Sequence, residues 1–188
     1  MAEAPGMVEF VPGIEAGHIR MTTAIQLPLN ESDWAPINDG VMGGVSVGAM
    51  MKGQKPDQLV FKGELSLENN GGFASVRRVM DEDLSGTAMV RLRVSGDGRT
   101  YQLRLRQDGR FDGIAWRRTF TTDGDWQTIH LPLSEFKPVF RGRPVAEAGE
   151  LRPENIQQLS LMLADKKPGP FLLRVDAIEF LPHLTETP

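Results

Sequence analysis

Two glycine-rich stretches gather the side chains best suited to hold a ligand. In INDGVMGGVSVG (37–48), Asn38, Asp39 and Ser46 stand among four glycines, shortly after Trp34. In ENNGGFASVRR (68–78), Asn70 and two glycines lead into Phe73, Ser75 and Arg77. Glycine lets another backbone or a ligand approach closely, and Asn, Asp and Ser offer donors and acceptors beside it. Trp34 would supply an amphipathic wall. Alternation puts Phe73, Ser75 and Arg77 on one face of a following strand. A second reading stays open: the glycines serve only a turn or bulge between strands. A dinucleotide fingerprint is excluded, because Gly40, Gly43, Gly44 and Gly48 have the wrong spacing and no helical pattern follows. A P-loop is excluded too, since Ala49 stands where its Lys must be.

The other candidate set is basic. AMVRLRV (88–94) and TYQLRLRQ (100–107) alternate strictly, and SGDGR between them reads as a turn. As a hairpin over 89–107, these runs project Arg91, Arg93, Gln102, Arg104 and Arg106 to one face, opposite Val90, Leu92, Tyr101 and Leu103. Like charges across strands repel by a few tenths of a kcal/mol per pair, on the order of the usual cross-strand energies. Such a face needs carboxylates from neighbouring strands or an anionic partner. The planar guanidinium fork suits a protein carboxylate patch, a sugar acid or a phosphate.

Catalytic and metal chemistry find little support. The chain has no cysteine, so disulfides, thiolate nucleophiles and thiolate zinc sites are excluded. His18, His130 and His183 are scattered, and neither a G-x-S-x-G elbow nor an H-E-x-x-H pair occurs. Asp39 and Glu64 can be nominated as a carboxyl pair, with no spacing rule behind them, and Asp39 would be the acid or base of an enzyme on a sugar or small acid. Asp176 and Glu179 are conceivable calcium donors. No catalytic, metal or cofactor set is assigned.

Strands must position these residues. QLVFKGELSL (58–67), IAWRRTF (114–120), WQTIHLPL (126–133), IQQLSLMLA (156–164) and FLLRVDAIEFL (171–181) add to the two arginine-bearing runs. The apolar density of the last two predicts central strands covered on both faces. Helical patterning is confined to single turns at LSEF and at LRPENIQQL, where Pro153 stands near the start. Many short strands with regular turns predict a β-sandwich or barrel.

A net charge of −4 argues against nucleic acid as a general partner. No run approaches the ~18 apolar residues of a bilayer-spanning helix. Residues 1–21 read as a flexible arm, because Met21 opens a second start-like segment, and 22–188 read as one domain. With no signal or transit pattern, the default location is cytoplasmic.

Five motifs in order carry a family resemblance: Trp34 with INDGVMGGVSVG, FKGELSLENNGGFASVR (61–77), YQLRLR (101–106), Trp126 with LPLSEFKPVFRGR (131–143), and FLLRVDAIEF (171–180). Over residues ~30–181 the chain resembles the complex I intermediate-associated protein 30 domain. The resemblance implies an all-β jelly-roll sandwich, similar to galactose-binding domains and carbohydrate-binding modules, with little helix. It implies a non-enzymatic, protein-binding assembly factor or chaperone for a respiratory complex I-like assembly. A carbohydrate or small anionic ligand is the alternative.

Overall fold

Period-two alternation becomes two antiparallel sheets that bury their apolar faces together. The computed structural model describes residues 23–183; the expected arm over 1–21, and His18 with it, lies outside them. The first sheet runs β3 (Val47–Lys52), β4 (Leu59–Leu65), β13 (Gly169–Pro182), β6 (Thr87–Ser95) and β9 (Trp126–Pro132), with β1 (Ile25–Gln26) also on β13. The second runs β11 (Arg143–Pro144), β10 (Lys137–Phe140), β8 (Ala115–Thr121), β7 (Thr100–Arg106), β12 (Gln158–Leu163), β5 (Ala74–Val79) and β2 (Trp34–Pro36). The single helical turns at Leu133–Glu135 and Pro153–Asn155 are short 3-10 turns.

Between the sheets lie the alternating apolar residues. Leu59, Phe61, Val90, Leu92, Leu173 and Val175 come from one side, Val76, Tyr101, Leu103, Leu105, Leu159 and Leu161 from the other. Phe61 and Phe171 meet the Tyr101 ring edge-on across the gap, with centroids 6.3 and 6.4 Å away. In long β13 the register shifts between Val175 and Ala177. The extra residue resets the alternation, so Phe171, Leu173 and Val175 before it and Ile178 and Phe180 after it all face the core.

Both strands expected to be central are central. β12 is covered on both faces, with Met162 alone half-buried, whereas β13 alternates between core and partly exposed residues. Double coverage therefore holds for β12 and not for β13. Apolar density marks a core-facing strand, but what lies on its outer face depends on loops far away in sequence.

The expected hairpin over 89–107 does not form. β6 pairs with β13 and β9 in one sheet, and β7 pairs with β12 and β8 in the other. The connector 96–99 crosses the sandwich instead of turning back. Alternation reports which face of a strand is buried; it is identical whether the next strand lies alongside or in the opposite sheet.

Candidate functional site

The first glycine stretch forms a 3-10 turn, Asp39–Met42, closed by Gly43 in the left-handed region at φ 86°. Asp39 is 1% exposed and points inward. Its Oδ1 accepts from the Ser46 N–H at 2.9 Å, and its Oδ2 from the Ser46 hydroxyl at 2.6 Å. Oδ2 also accepts from the N–H groups of Gly72 at 2.7 Å and Phe73 at 3.3 Å. Burial pushes this carboxyl's pKa up, but the Ser46 hydroxyl and the three N–H donors outweigh it and hold the pKa below the ordinary value. Beside it, the Asn38 amide donates to the Gly48 carbonyl and accepts from the Ser75 N–H, both at 3.1 Å.

Asn38, Asp39 and Ser46 thus clamp one glycine loop to the other and do not present polar groups to a ligand. The catalytic role considered for Asp39 fails for the same reason: both oxygens are engaged, and its acidity moves away from the range a general acid needs at neutral pH. Trp34 is no ligand wall either. It is 6% exposed and packs in the core. Asn70 is exposed at the loop tip and Phe73 is half-buried.

The glycines follow from the clamp. A Cβ on Gly44 would lie 2.5 Å from Asp39 Oδ1, and one on Gly71 would lie 2.5 Å from Oδ2. Because hydrogen bonds lock the carboxylate, it cannot swing aside. Gly44→Ala and Gly71→Ala are each expected to lose about 2 kcal/mol in urea denaturation. Gly40→Ala, where a Cβ meets nothing within 4 Å, should stay within about 0.5 kcal/mol.

The arginine stripe divides between the two outer faces. On the six-stranded sheet, Arg91 donates to Glu179 at 2.7 Å, and Arg93 lies over the half-buried Trp126 ring. This half meets the carboxylate pairing that a solvated face requires. Asp176, the other calcium nominee, accepts from Gln58 Nε2 at 2.7 Å.

The seven-stranded sheet is different. Register aligns Arg77, Ser160, Arg104, Arg117 and Lys137 in one row across β5, β12, β7, β8 and β10. Arg106 pairs with Gln158 in the row beside it, and Gln102 with Met162 and Thr119 on the other side. Arg77, Arg104, Arg106, Arg117 and Lys137 therefore share one outer face with no acidic strand residue among them. Among the described residues none of the four arginines is salt-bridged.

This face is recessed. Arg106 is 7% exposed, and Gln102, Gln158 and Ser160 are buried although they point away from the core. Loop 107–114 folds over one end. Arg77 Nη1 donates to the Phe111 carbonyl at 2.8 Å, Arg106 Nη1 to that of Gly113 at 2.7 Å, and Gln158 Nε2 to that of Asp108 at 2.7 Å. Arg104 Nε is held by Gln102 Oε1 at 2.9 Å. Burial first, then the charges of Arg106, Arg117 and Arg77, lower the pKa of Arg104 to about 10. Burial and Arg106 do the same to Arg77, with Asp112 opposing. Arg117 and Ser160 escaped the sequence reading, because only pairing between strands distant in sequence brings them beside Arg104.

Tyr101 is a core residue, as its parity predicts, and Trp116 is buried in the core as well. The Arg141–Gly142 pair takes two left-handed conformations and closes the β10–β11 hairpin.

The family model described as complex I intermediate-associated protein 30 matches residues 24–175. Mouse complex I intermediate-associated protein 30, mitochondrial, is 34% identical over 106 residues, covering 54% of this chain and 32% of that protein. The Drosophila melanogaster protein of the same name is 30% identical over 112 residues, covering 55% and 38%. The chain thus matches about a third of the length of these relatives. The family 11 carbohydrate-binding module of Clostridium thermocellum Lic26A-Cel5E superposes with a TM-score of 0.66 at 18% identity, over 86% of this chain and 97% of that one. That likeness establishes the jelly-roll sandwich. The mitochondrial designation of the mouse and fly relatives overturns the cytoplasmic expectation. A sandwich packs by the same physics in either compartment, so the composition of the domain holds no address. The matched span covers both glycine loops, β7 and nearly all of the two sheets: the chain belongs to the complex I intermediate-associated protein 30 family.

Proposed function

We propose that this chain is a non-catalytic binding module that engages a protein partner during assembly of a respiratory complex. Family membership and the mitochondrial designation of the mouse and fly relatives support that setting. The observation that carries the reading is apolar surface at the edge of the six-stranded sheet. Val47, Ala49 and Met51 on edge strand β3, with Pro170, Phe171 and Leu172, line a shallow recess of about 550 Å³. Val41, Met42 and Val45 are also exposed, on the clamped glycine loop that leads into β3. Exposed apolar surface rimmed by polar groups such as Lys62 is what a protein partner covers. The rigid Asp39 clamp keeps this surface in shape before binding, which lowers the entropy lost on association.

The test is complementation. Deletion should reduce assembled complex I on native gels, and the wild-type chain should restore it. The double variant Val47→Asp, Met51→Asp should capture assembly intermediates at least about tenfold more weakly while keeping its thermal midpoint. Normal complex I in the deletion strain, with only bare monomer recovered on purification, would overturn the reading.

A second reading, a soluble ligand on the seven-stranded sheet, is favoured by the recessed and unpaired arginines of that face.

A further inference from the structure

The recessed arginines carry more chemistry than a generic binding face. We propose that the outer face of the seven-stranded sheet holds the phosphoryl group of a small phosphate monoester, gripped by Arg77, Arg104, Arg106 and Arg117. This rests on the second reading above and is independent of the protein-binding one, which concerns the opposite sheet.

Unmet hydrogen-bonding capacity is the first argument. Arg77 Nε and Arg106 Nε are buried and have no partner. Arg106, at 7% exposure, has one bond, to the Gly113 carbonyl, and Arg104 has one, to Gln102. Buried donors are normally paired, so two orphaned guanidinium nitrogens on one face leave hydrogen-bonding capacity for an acceptor.

Convergence is the second. Neighbouring strands lie about 4.8 Å apart. Arg104 and Arg117 are directly opposed on adjacent strands, Arg77 is two strands from Arg104 across Ser160, and Arg106 is two residues along β7. All four side chains can reach one point above Ser160 and Arg104. The small Ser160 leaves room there, where a longer side chain would fill the recess.

Charge selects the ligand class. A single carboxylate satisfies one guanidinium bidentately. Four guanidiniums without a salt bridge call for a dianion with several acceptor oxygens, which a phosphate monoester supplies near neutral pH. The carboxylates of loop 107–114 face the cluster without forming a salt bridge to it: Asp112 acts on Arg77 and Arg106, Asp108 acts on Arg106, and Asp112 is itself held by Arg141 at 2.7 Å. Neutral sugars are poorly served. Phe111, beside the cluster, already has its ring stacked on the Arg77 guanidinium at 5.4 Å. Ser160 and the Gln102 amide are placed to bond hydroxyls next to the phosphate.

Burial first, and then the neighbouring guanidiniums, lower the basicity of Arg77 and Arg104, so holding these charges here opposes the stability of the empty fold. Surfaces that oppose stability in this way are characteristic of binding sites.

The full chain is titrated calorimetrically with inorganic phosphate, ribose 5-phosphate, ribose and glucuronate. Both phosphates should bind saturably and raise the thermal midpoint, ribose 5-phosphate more tightly than inorganic phosphate. Ribose should not bind, and glucuronate should bind at least tenfold more weakly. Arg104→Met should lose phosphate binding by at least tenfold while its apo midpoint stays level or rises. Arg117→Met repeats the test should Arg104→Met fail to fold. Arg93→Met, on the other sheet, should bind as wild type. No heat with either phosphate, glucuronate binding as tightly as ribose 5-phosphate, or full phosphate binding by the variants overturns the proposal.

Discussion

Asp39→Ala is expected to destabilise the protein by about 4 kcal/mol, the largest effect of any single substitution in the glycine loops. The carboxylate is 1% exposed and accepts four hydrogen bonds from three residues. Removing it strands the N–H groups of Ser46, Gly72 and Phe73 away from water, and each buried orphan costs about 1–3 kcal/mol. Asn is no remedy, because in one orientation its NH2 would face the Gly72 and Phe73 N–H donors and in the other the Ser46 N–H. A urea transition with unchanged slope and a thermal midpoint lower by roughly 10 °C would be the signature. Acid supplies an independent check. The folded-state pKa of Asp39 lies below the ordinary 3.8, so its contribution is complete above that value and fades as pH falls through the folded value. The gap between wild type and Asp39→Asn should therefore be constant from pH 7 to 5 and narrow below pH 4. A gap that widens in acid would mean the carboxyl is protonated in the native state.

The clamp also marks what the sequence could reveal. Val90, Leu92, Val94, Tyr101, Leu103 and Leu105 all went to the core, because alternation follows directly from the pleat. Every long apolar run became a strand. Asn38, Asp39 and Ser46 were legible as an unusual cluster, but their direction was not. The same residues beside glycines can cradle a ligand or each other, and only the second loop, some thirty residues on, decides it. The arginines posed a harder problem. Four of one parity look like one stripe, yet the crossing at 96–99 sends Arg91 and Arg93 to one outer face and Arg104 and Arg106 to the other. Arg117 and Arg77 then join the second pair through β8 and β5. Strand order is a property of long-range pairing, and no local pattern encodes it.

That crossing explains the second large effect. Arg99→Ala is expected to cost about 3–5 kcal/mol. Arg99 forks onto Asp165 at 2.7 and 2.9 Å, with side-chain exposures of 12% and 8%. Its remaining N–H groups reach the carbonyls of Lys167, Gly169 and Pro170. The side-chain bond to Asp165 raises the Arg99 pKa; burial pushes Asp165 up, but Arg99 and the Lys167 N–H bring it down. Loss of the guanidinium leaves a buried carboxylate without its counter-ion. Lys should recover only part of the loss, since a point charge cannot bridge a carboxylate and three carbonyls at once. Two residues earlier, Asp97 accepts from the Tyr101 hydroxyl at 3.0 Å and the Leu172 N–H at 2.8 Å. The connector thus fastens the start of β13, which carries Pro170 and Leu172 into the apolar recess, to the start of β7. Below its lowered melting midpoint, Arg99→Ala should lose partner capture as the recess wall loosens. The seven-stranded face should keep its arginine geometry, because β8 and β12 hold β7 on both sides. Measured together, partner capture and phosphate titration of this one variant separate the two faces; equal loss of both would mean that they are not independent sites.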